Sequence, residues 1–242
     1  MNYCTDTCKY HRHISMYSVG NVFCFAAWYN FLMRITQLQT QVKNPERLNV
    51  YVDGQFLLGA SALVVLQMGL RVGQELTGEQ LAQLRHDEAL QQAVERAYNY
   101  LSFRPRSREE VRRYLRRKET PQELIEPVLA RLDALNLIND EEFASFWIAS
   151  REQSRPKGAR AIKNELRMKG VARDIADELV DEEQDEERAL AAARKKAYSL
   201  LRLPDMDYKT FYARLGSFLQ RRGFDYEVTS RTVKALWEER EM

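Results

Sequence analysis

The chain has 242 residues, of which 45% are hydrophobic and 30% charged. This composition is typical of a globular protein with a packed core and argues against a disordered or collagen-like chain. Its 37 basic and 35 acidic residues give a net charge of +2, so the total does not by itself indicate a polyanionic partner. The charges are grouped in blocks, however. Residues 104–118 hold eight basic and two acidic residues, and residues 174–187 hold nine acidic and no basic ones. The local basic block indicates an anionic partner.

Residues 1–32 differ from the rest of the chain. All three cysteines lie here, so the remaining chain is free of cysteine, which suits a reducing cytosol. The uncharged stretch 14–33 follows a basic start, as in a signal peptide or membrane anchor, but polar residues dilute it. Cys4, Cys8, His11 and His13 are potential zinc ligands without a second half to fold around them. We interpret 1–32 as an extension that is disordered or precedes the true start at Met33, and expect no metal site.

Residues 33–86 are predicted to form a small region with a β-hairpin and helices. Apolar and polar residues alternate over 35–41, which predicts a first strand. Residues 49–58 predict two further strands joined by Asp53-Gly54, a dipeptide that accepts the positive φ angles of a tight hairpin turn. Two short helices are predicted to follow, at Ala60–Met68 and Thr77–Arg85.

From Asp87 onward the periodicity is helical and predicts no strand. Proline, glycine and asparagine breaks divide this part into about nine helices in three groups of three. Each group is expected to open with a longer helix, at Ala89–Phe103, Glu141–Arg155 and Glu186–Leu203. The groups predict three domains, 87–138, 139–184 and 185–242. The fold class is therefore mainly α, with tandem three-helix repeats in a curved array after a small antiparallel sheet.

An internal repeat supports this division. Ser107 and Glu110 form a capping box that starts a helix. The helix that follows carries an apolar, apolar, basic pattern, which returns 51 residues later and again after a further 53. The three copies are Val111, Leu115 and Lys118; Ile162, Leu166 and Lys169; and Leu215, Leu219 and Arg222.

Two details of the repeat lead to separate expectations. Glycine follows the basic residue in the second and third copies and supplies the left-handed residue that ends a helix. The first copy has Glu119-Thr120-Pro121 instead, so its turn is expected to be built differently. In the second domain Asn139 or Asp140 is the predicted N-cap. An apolar stripe on the helix that follows is interpreted as core rather than as a base-stacking surface, and consists of Phe143, Phe146, Trp147 and Ser150.

Basic residues recur opposite the apolar face of the repeat. In repeat register Arg112 matches Lys163 and Arg116 matches Arg167, whereas the third copy has Gly216 and Gln220 there. A solvated helix face is the alternative, but two aligned copies favour binding. The candidate contact residues are Arg112, Arg113, Arg116, Arg117, Arg160, Lys163, Arg167 and Lys169.

Several segments from Met33 to Glu241 carry a family resemblance. They are 42–56, which ends in Tyr-Val-Asp-Gly-Gln-Phe; 101–115, Leu-Ser-Phe-Arg-Pro-Arg-Ser-Arg-Glu-Glu-Val-Arg-Arg-Tyr-Leu; and 137–144, Leu-Ile-Asn-Asp-Glu-Glu-Phe-Ala, followed by Trp147, Arg151, Gly158, Glu165 and Gly170. On these residues the chain resembles the bacterial RecX regulatory proteins. Asn136 and Asn139 replace the usual glycine and aspartate of the pattern, and both substitutes still serve as helix caps.

The resemblance implies a cytoplasmic, monomeric, non-enzymatic regulator without cofactors. It implies binding to the RecA recombinase filament and to the phosphates of single-stranded DNA, with duplex DNA as a further candidate ligand. It also implies restraint of ATP hydrolysis, strand exchange and the co-protease activity of the SOS response in recombination and DNA repair. A stand-alone DNA-binding protein is the alternative, because three-helix units resemble helix-turn-helix modules. A nuclease using a metal held by the acidic run is disfavoured, because consecutive carboxylates do not converge on one ion. That run contains Asp181, Glu182, Glu183, Asp185, Glu186 and Glu187.

Overall fold

The computed structural model describes residues 32–241 of the chain, in two compact units that divide after Leu84. The predicted extension 1–32, with its signal-peptide and zinc interpretations, lies outside the described residues apart from Leu32. The antiparallel sheet of the first unit has the strand order β3-β2-β1-β4. Its elements are β1, Met33–Thr40; β2, Arg47–Val52; β3, Gln55–Ser61; α1, Ala62–Gln67; and β4, Glu75–Leu76, followed by the start of α2, Gly78–Leu101.

The hairpin prediction is confirmed, because β2 and β3 pair antiparallel around Asp53-Gly54, with φ of 49° and 80°. Ile35, Val50 and Leu84 are fully buried in the core of this unit. Other details differ from the prediction. Helix α1 begins two residues later than expected, because Ala60 and Ser61 complete β3 and Ser61 caps the helix. The two-residue strand β4 was too short to show a period of two.

The second unit holds three three-helix domains, which confirms the predicted fold class. The first domain combines the later part of α2 with α3, Arg108–Arg117, and α4, Gln122–Ala134. The second contains α5, Asp140–Ser154; α6, Ala159–Met168; and α7, Arg173–Leu179. The third contains α8, Asp185–Leu201; α9, Tyr208–Arg221; and α10, Tyr226–Glu238, followed by a turn of 3₁₀ helix at Glu239–Glu241.

The two helices predicted at Thr77–Arg85 and Ala89–Phe103 are one helix, α2, which is a correction to the sequence interpretation. Residues 86–88, which lie between them, are His, Asp and Glu. None of these residue types breaks a helix, so the polar gap is only a stretch of helix with polar side chains.

The apolar positions of the repeat form the cores of the three domains. The six apolar residues of the repeat on α3, α6 and α9, from Val111 to Leu219, are all fully buried. Each domain also has its own cluster of buried side chains. At about 25 cal/mol per Å² of apolar surface, burial of each side chain stabilises its domain by about 1.5–3 kcal/mol.

The turn after α3 is built like its two counterparts, so the expectation of a different turn was wrong. Glu119 adopts φ of 55° where Gly170 and Gly223 adopt 87°. The N–H of Thr120 donates to the carbonyl of Leu115 at 3.1 Å, as the N–H of Val171 does to that of Leu166 at 3.0 Å. A glutamate therefore occupies the left-handed position here, at a conformational cost that glycine avoids.

The inward stripe predicted on α5 is correct only in part. Asn139 caps the helix, as expected, by accepting from the N–H groups of Glu141 and Glu142. Phe143 is fully buried and Trp147 half-buried, but Phe146 lies at the surface with 36% of its area exposed. Phe146 is three residues from Phe143 but lies on the edge of the apolar face. A domain of three short helices does not cover that edge.

Candidate anion-binding face of the helical domains

The middle helices α3 and α6 carry the predicted basic stripe, and the structure divides its residues by their partners. Arg112 binds Glu109 at 2.7 Å and Glu126 at 3.0 Å. Lys163 lies 51 residues later and binds Asp177 at 3.3 Å, and Asp177 is itself 51 residues after Glu126. Each pair ties the middle helix of its domain to the last helix. We name these two pairs, Arg112–Glu126 and Lys163–Asp177, the clasps.

The clasps hold charge inside each domain and leave little of it for a ligand. Hydrogen bonds from Lys163 to Glu182 and Asp177 outweigh partial burial and raise the pKa of the Lys163 amine. The hydrogen bond between Arg112 and Glu126 is the main cause of the lowered pKa of Glu126. The third domain has no counterpart of the clasp cation, because Gly216 holds that position and is buried in α9.

A second subset of the predicted residues is exposed and has no acidic partner among residues 32–241. Arg116 and Arg167, one turn beyond the clasps and in repeat register with each other, belong to it. Arg167 bonds only the side-chain amide of Asn164, and Arg117 packs over the ring of Tyr114 at 5.7 Å. Arg160, at the start of α6, is exposed as well. We name Arg116, Arg117, Arg160 and Arg167 the open arginines.

Lys169 and Arg113 belong to the contact between the first and second domains. The amine of Lys169 donates to Glu110 at 2.6 Å and lies 4.0 Å from the centre of the Trp147 ring. The guanidinium of Arg113 donates to the carbonyl of Met168 at 3.1 Å. Both side chains therefore fasten two domains together, and Lys169 is only 22% exposed. We name this contact the first joint.

The carboxylates beside the first joint are held ionised. Burial opposes ionisation of Glu110, but hydrogen bonds from Lys169 and Arg104 outweigh it and lower its pKa. Glu165 is similar: burial raises its pKa, and hydrogen bonds from Lys157, Arg151 and Trp147 lower it further than burial raises it. The Trp147 ring lies between Lys169 and Arg151, whose guanidinium is 4.3 Å from the ring centre. Cation–π contacts of this kind add to the ion pairs.

The contact between the second and third domains has the same position in the repeat and shares part of its chemistry with the first joint. The N–H of Gly158 donates to the carbonyl of Arg222 at 3.1 Å. The N–H of Ala159 donates to the carboxylate of Asp185 at 2.9 Å, just as the N–H of Arg108 donates to Asp140 in the first joint. We name this contact the second joint.

A cleft of about 800 Å³ lies between the second and third domains, beside the second joint. Arg160, Lys163 and Arg167 line it from α6. Arg173 and Arg221, which the sequence interpretation missed, line it as well. Arg221 lies one residue beyond Gln220, which holds the stripe position. The third domain therefore supplies a cation to the cleft, but not at the repeat position of Arg116 and Arg167.

Acidic side chains also line this cleft, and each has a partner. Asp177 and Glu182 bind Lys163, Asp185 accepts from Ala159, and Asp225 caps α10. Arg160 and Arg221 have no acidic partner in the described part of the chain. The unpaired charge of the cleft is therefore positive, which suits phosphate or carboxylate groups.

The acidic run 181–187 serves structural purposes. Asp185 is 8% exposed and bonds Ala159 and Arg188, while Asp181 accepts from the N–H of Glu183. Burial raises the pKa of Asp185 against the effect of these hydrogen bonds. Residues 32–241 contain no cluster of three or more histidine, cysteine or acidic residues that could hold a metal ion. The nuclease hypothesis thus gains no support from the geometry.

The fold and the exposed cations on its middle helices together define a class of protein, an array of three-helix domains with recurring surface cations. Four family models match this chain: the RecX regulatory protein N-terminal domain over residues 33–77, and the first, second and third RecX three-helix domains over 93–132, 139–180 and 182–233. The chain belongs to the RecX family.

Curated relatives and solved structures agree with this assignment. The regulatory protein RecX of Bacillus velezensis is 30% identical over 200 residues, covering 83% of this chain and 76% of the relative. That of Bacillus subtilis is 29% identical over 202 residues, covering 84% and 76%. A crystal structure of regulatory protein RecX superposes with a TM-score of 0.70 at 25% identity, covering 83% of this chain and 98% of the other. RecX from Lactobacillus salivarius has a TM-score of 0.54, covering 62% and 97%.

The relatives are named as regulators, and the family assignment confirms the resemblance drawn from the sequence. Among the helices that the structure describes, none combines the length and the apolar character needed to cross a bilayer.

Proposed function

We propose that this protein is a non-enzymatic regulator that binds along the RecA filament on single-stranded DNA. There it restrains ATP hydrolysis, strand exchange and co-protease activity. We further propose that it acts in the cytoplasm as a monomer. Membership in the RecX family supports the regulatory role, and the resemblance of the sequence supplies the partner.

The observation that carries the proposal is the recurrence of Arg116 and Arg167 on successive domains, without acidic partners among residues 32–241. A filament on DNA repeats along its length and carries regularly spaced phosphates. The first and second domains likewise present Arg116 and Arg167 at equivalent positions of the repeat. Such complementary charge raises association rates and fixes the register of two long partners.

The clasp and joint residues are assigned a different role within the same proposal. Arg112, Lys163 and Lys169 neutralise carboxylates inside or between domains, so their removal would disturb the scaffold. The open arginines, with Arg221, are the proposed contacts for the filament. Charge reversal at Arg112 would mix the two effects and is a poor test.

The test is RecA-catalysed ATP hydrolysis on single-stranded DNA, measured with increasing amounts of the protein. Arg116→Glu combined with Arg167→Glu is expected to weaken inhibition at least tenfold, because two attractive contacts become repulsive. The control is Arg194→Glu combined with Lys195→Glu, an equal change of charge at exposed positions of α8 outside the cleft. Equal inhibition by the wild type and the Arg116/Arg167 variant would refute the proposed contacts.

Two further measurements distinguish the alternative of a stand-alone DNA-binding protein. That alternative predicts tight binding to DNA without RecA, with an affinity that falls steeply as salt is raised. It also predicts that inhibition of ATP hydrolysis disappears once the DNA is in excess over the regulator. Persistence of inhibition under those conditions favours contact with the filament.

A further inference from the structure

A second cavity, of about 390 Å³, lies within the first domain and beside the start of the second. The end of α2 and the loop that follows form one side of it, and the loop after α4 forms another. Tyr98 and Phe103 line this cavity, and they are 55% and 84% exposed. Two aromatic rings this exposed on one cavity do not contribute to the core, so they are available to a ligand.

The polar side chains of the cavity include an arginine, two asparagines and a glutamate. Arg106 lines it, and its guanidinium lies 4.1 Å from the centre of the Tyr100 ring. Tyr100 stacks in turn on Tyr114, with ring centres 4.0 Å apart and planes 1° from parallel. This stack fixes Arg106 in place, yet its Nε is buried and has no hydrogen-bond partner in residues 32–241. That atom is covered by protein, so a ligand in the cavity would bond the other guanidinium N–H groups of Arg106.

Two asparagines complete the lining, with one carboxylate. Asn136 sits at the turn after α4 with φ of 52°, and Asn139 uses its side-chain oxygen to cap α5, which leaves its amide nitrogen to donate. Glu142 lines the cavity too and can accept a hydrogen bond. The cavity thus combines ring faces with separate donors and acceptors at its edge.

We propose that this cavity binds an unpaired nucleobase, stacked on Phe103 and Tyr98 and hydrogen-bonded by Arg106 and the asparagine amides. A nucleobase matches the lining because it has a flat apolar face and polar edges. Aromatic rings beside cations bind single strands in this way, whereas a paired base keeps both its faces and its pairing edge inside the duplex. The inference rests on the proposed function only in taking single-stranded DNA as the ligand.

The experiment uses the full chain without RecA and measures binding of an oligothymidylate of about 12 nucleotides. An abasic strand of equal length, which keeps the phosphates and sugars, is the second probe. Phe103→Ala is expected to weaken binding of the oligothymidylate by about 5- to 150-fold, the range for loss of one stacked base. It is expected to leave the affinity for the abasic strand unchanged.

The control variant is Tyr198→Ala, which removes an aromatic ring that is 66% exposed on α8 and outside the cavity. It should leave binding of both probes unchanged. Phe103→Leu tests whether the ring itself is needed, because an aliphatic side chain keeps apolar area but loses the flat face. It should bind the oligothymidylate almost as weakly as Phe103→Ala.

Three outcomes would overturn the proposal: no binding of the oligothymidylate by the wild type, equal weakening of both probes by Phe103→Ala, or no effect of that variant on either. A fourth would assign the aromatic residues to a protein partner. In it, Phe103→Ala leaves oligothymidylate binding intact but weakens inhibition of RecA. Failure of the proposed function would give a different result: every arginine variant would still inhibit RecA as the wild type does.

Discussion

The two joints occupy the same place in the repeat but are held together differently. The first joint relies on charged side chains: Lys169 reaches Glu110, and Arg113 reaches the carbonyl of Met168. The second relies on close approach of two backbones, because a Cβ atom on Gly158 would lie 2.4 Å from the carbonyl oxygen of Gly223. Both joints are close-packed at the glycine after the middle helix, because a Cβ on Gly170 or Gly223 would lie 2.3 or 2.4 Å from the facing Cβ of the preceding domain. The joints differ in the Lys169–Glu110 ion pair of the first and the backbone contact of Gly158 in the second.

One difference between the joints lies in a pair of residues in register. Ser107 and Gly158 precede the middle helices of the first and second domains. The hydroxyl of Ser107 donates to the carbonyl of Lys169 at 2.6 Å. The serine side chain therefore lies between the backbones of the two domains at this point. Gly158 has no side chain, so its own N–H reaches Arg222 directly.

The largest effect is expected from Gly158→Ala. The added methyl group would overlap the backbone of residues 223 and 224, which has no side-chain freedom with which to yield. Overpacking of this kind destabilises by about 1–3 kcal/mol. The free energy of unfolding, measured in urea, should fall by that amount.

Gly216→Ala is the matched control for Gly158→Ala. At this buried position in α9 a Cβ would find its nearest neighbour, Thr229, at 3.7 Å, which is ordinary contact. Helix propensity then favours alanine by up to about 1 kcal/mol, so this variant should be more stable than the wild type. Equal destabilisation by both substitutions would show that the second joint is not close-packed.

Lys169→Met should have the next largest effect, and it acts on the first joint. The substitution keeps the apolar contact with Trp147 but leaves Glu110, whose side chain is 12% exposed, with Arg104 as its remaining partner. A partly buried carboxylate that loses one of two partners costs about 1–2 kcal/mol.

A double-mutant cycle separates the pair from its surroundings. Combining Lys169→Met with Glu110→Gln removes the stranded charge, so the double variant should be less destabilised than the sum of the two single ones. Additive costs would show that Lys169 and Glu110 do not interact across the joint.

The fold was largely predictable because apolar periodicity and capping residues are local signals. Val111 and Leu115 were assigned to the core from spacing alone and are fully buried. The turn at Glu119 was mispredicted because glycine is the usual left-handed residue, and the backbone contacts around it outweighed that preference. The sequence predicts two helices where α2 is one, because a gap in the apolar pattern does not require a gap in the helix.

The candidate face was less predictable than the fold. Repeat register identified Arg112 and Lys163 as equivalent, but not that each binds an acidic residue on the next helix. The same register, applied to Glu126 and Asp177, would have revealed the clasps. The cleft contribution of Arg221 depends on how two domains stack, and no spacing within one domain encodes that geometry.

The smallest effect is expected from pH, and the two joints should respond with opposite sign. Glu110 of the first joint has a pKa lowered below its usual value of about 4.3. Its ionisation stabilises the fold above that pH, and this contribution is lost as pH falls through the lowered pKa. Asp185 of the second joint has a raised pKa. It binds a proton more tightly when folded, so its contribution increases as pH falls toward about 3.9.

Urea unfolding of the wild type, Glu110→Gln and Asp185→Asn at pH 6 and at about pH 4 tests this contrast. As pH falls, the wild type should lose stability relative to Glu110→Gln and gain stability relative to Asp185→Asn. Both changes should be smaller than the effect of Lys169→Met, because protonation removes charge but leaves the carboxyl group in place to hydrogen-bond. Parallel pH profiles for all three proteins would mean that the two joints do not differ in electrostatics, and the contrast between them would then be steric alone.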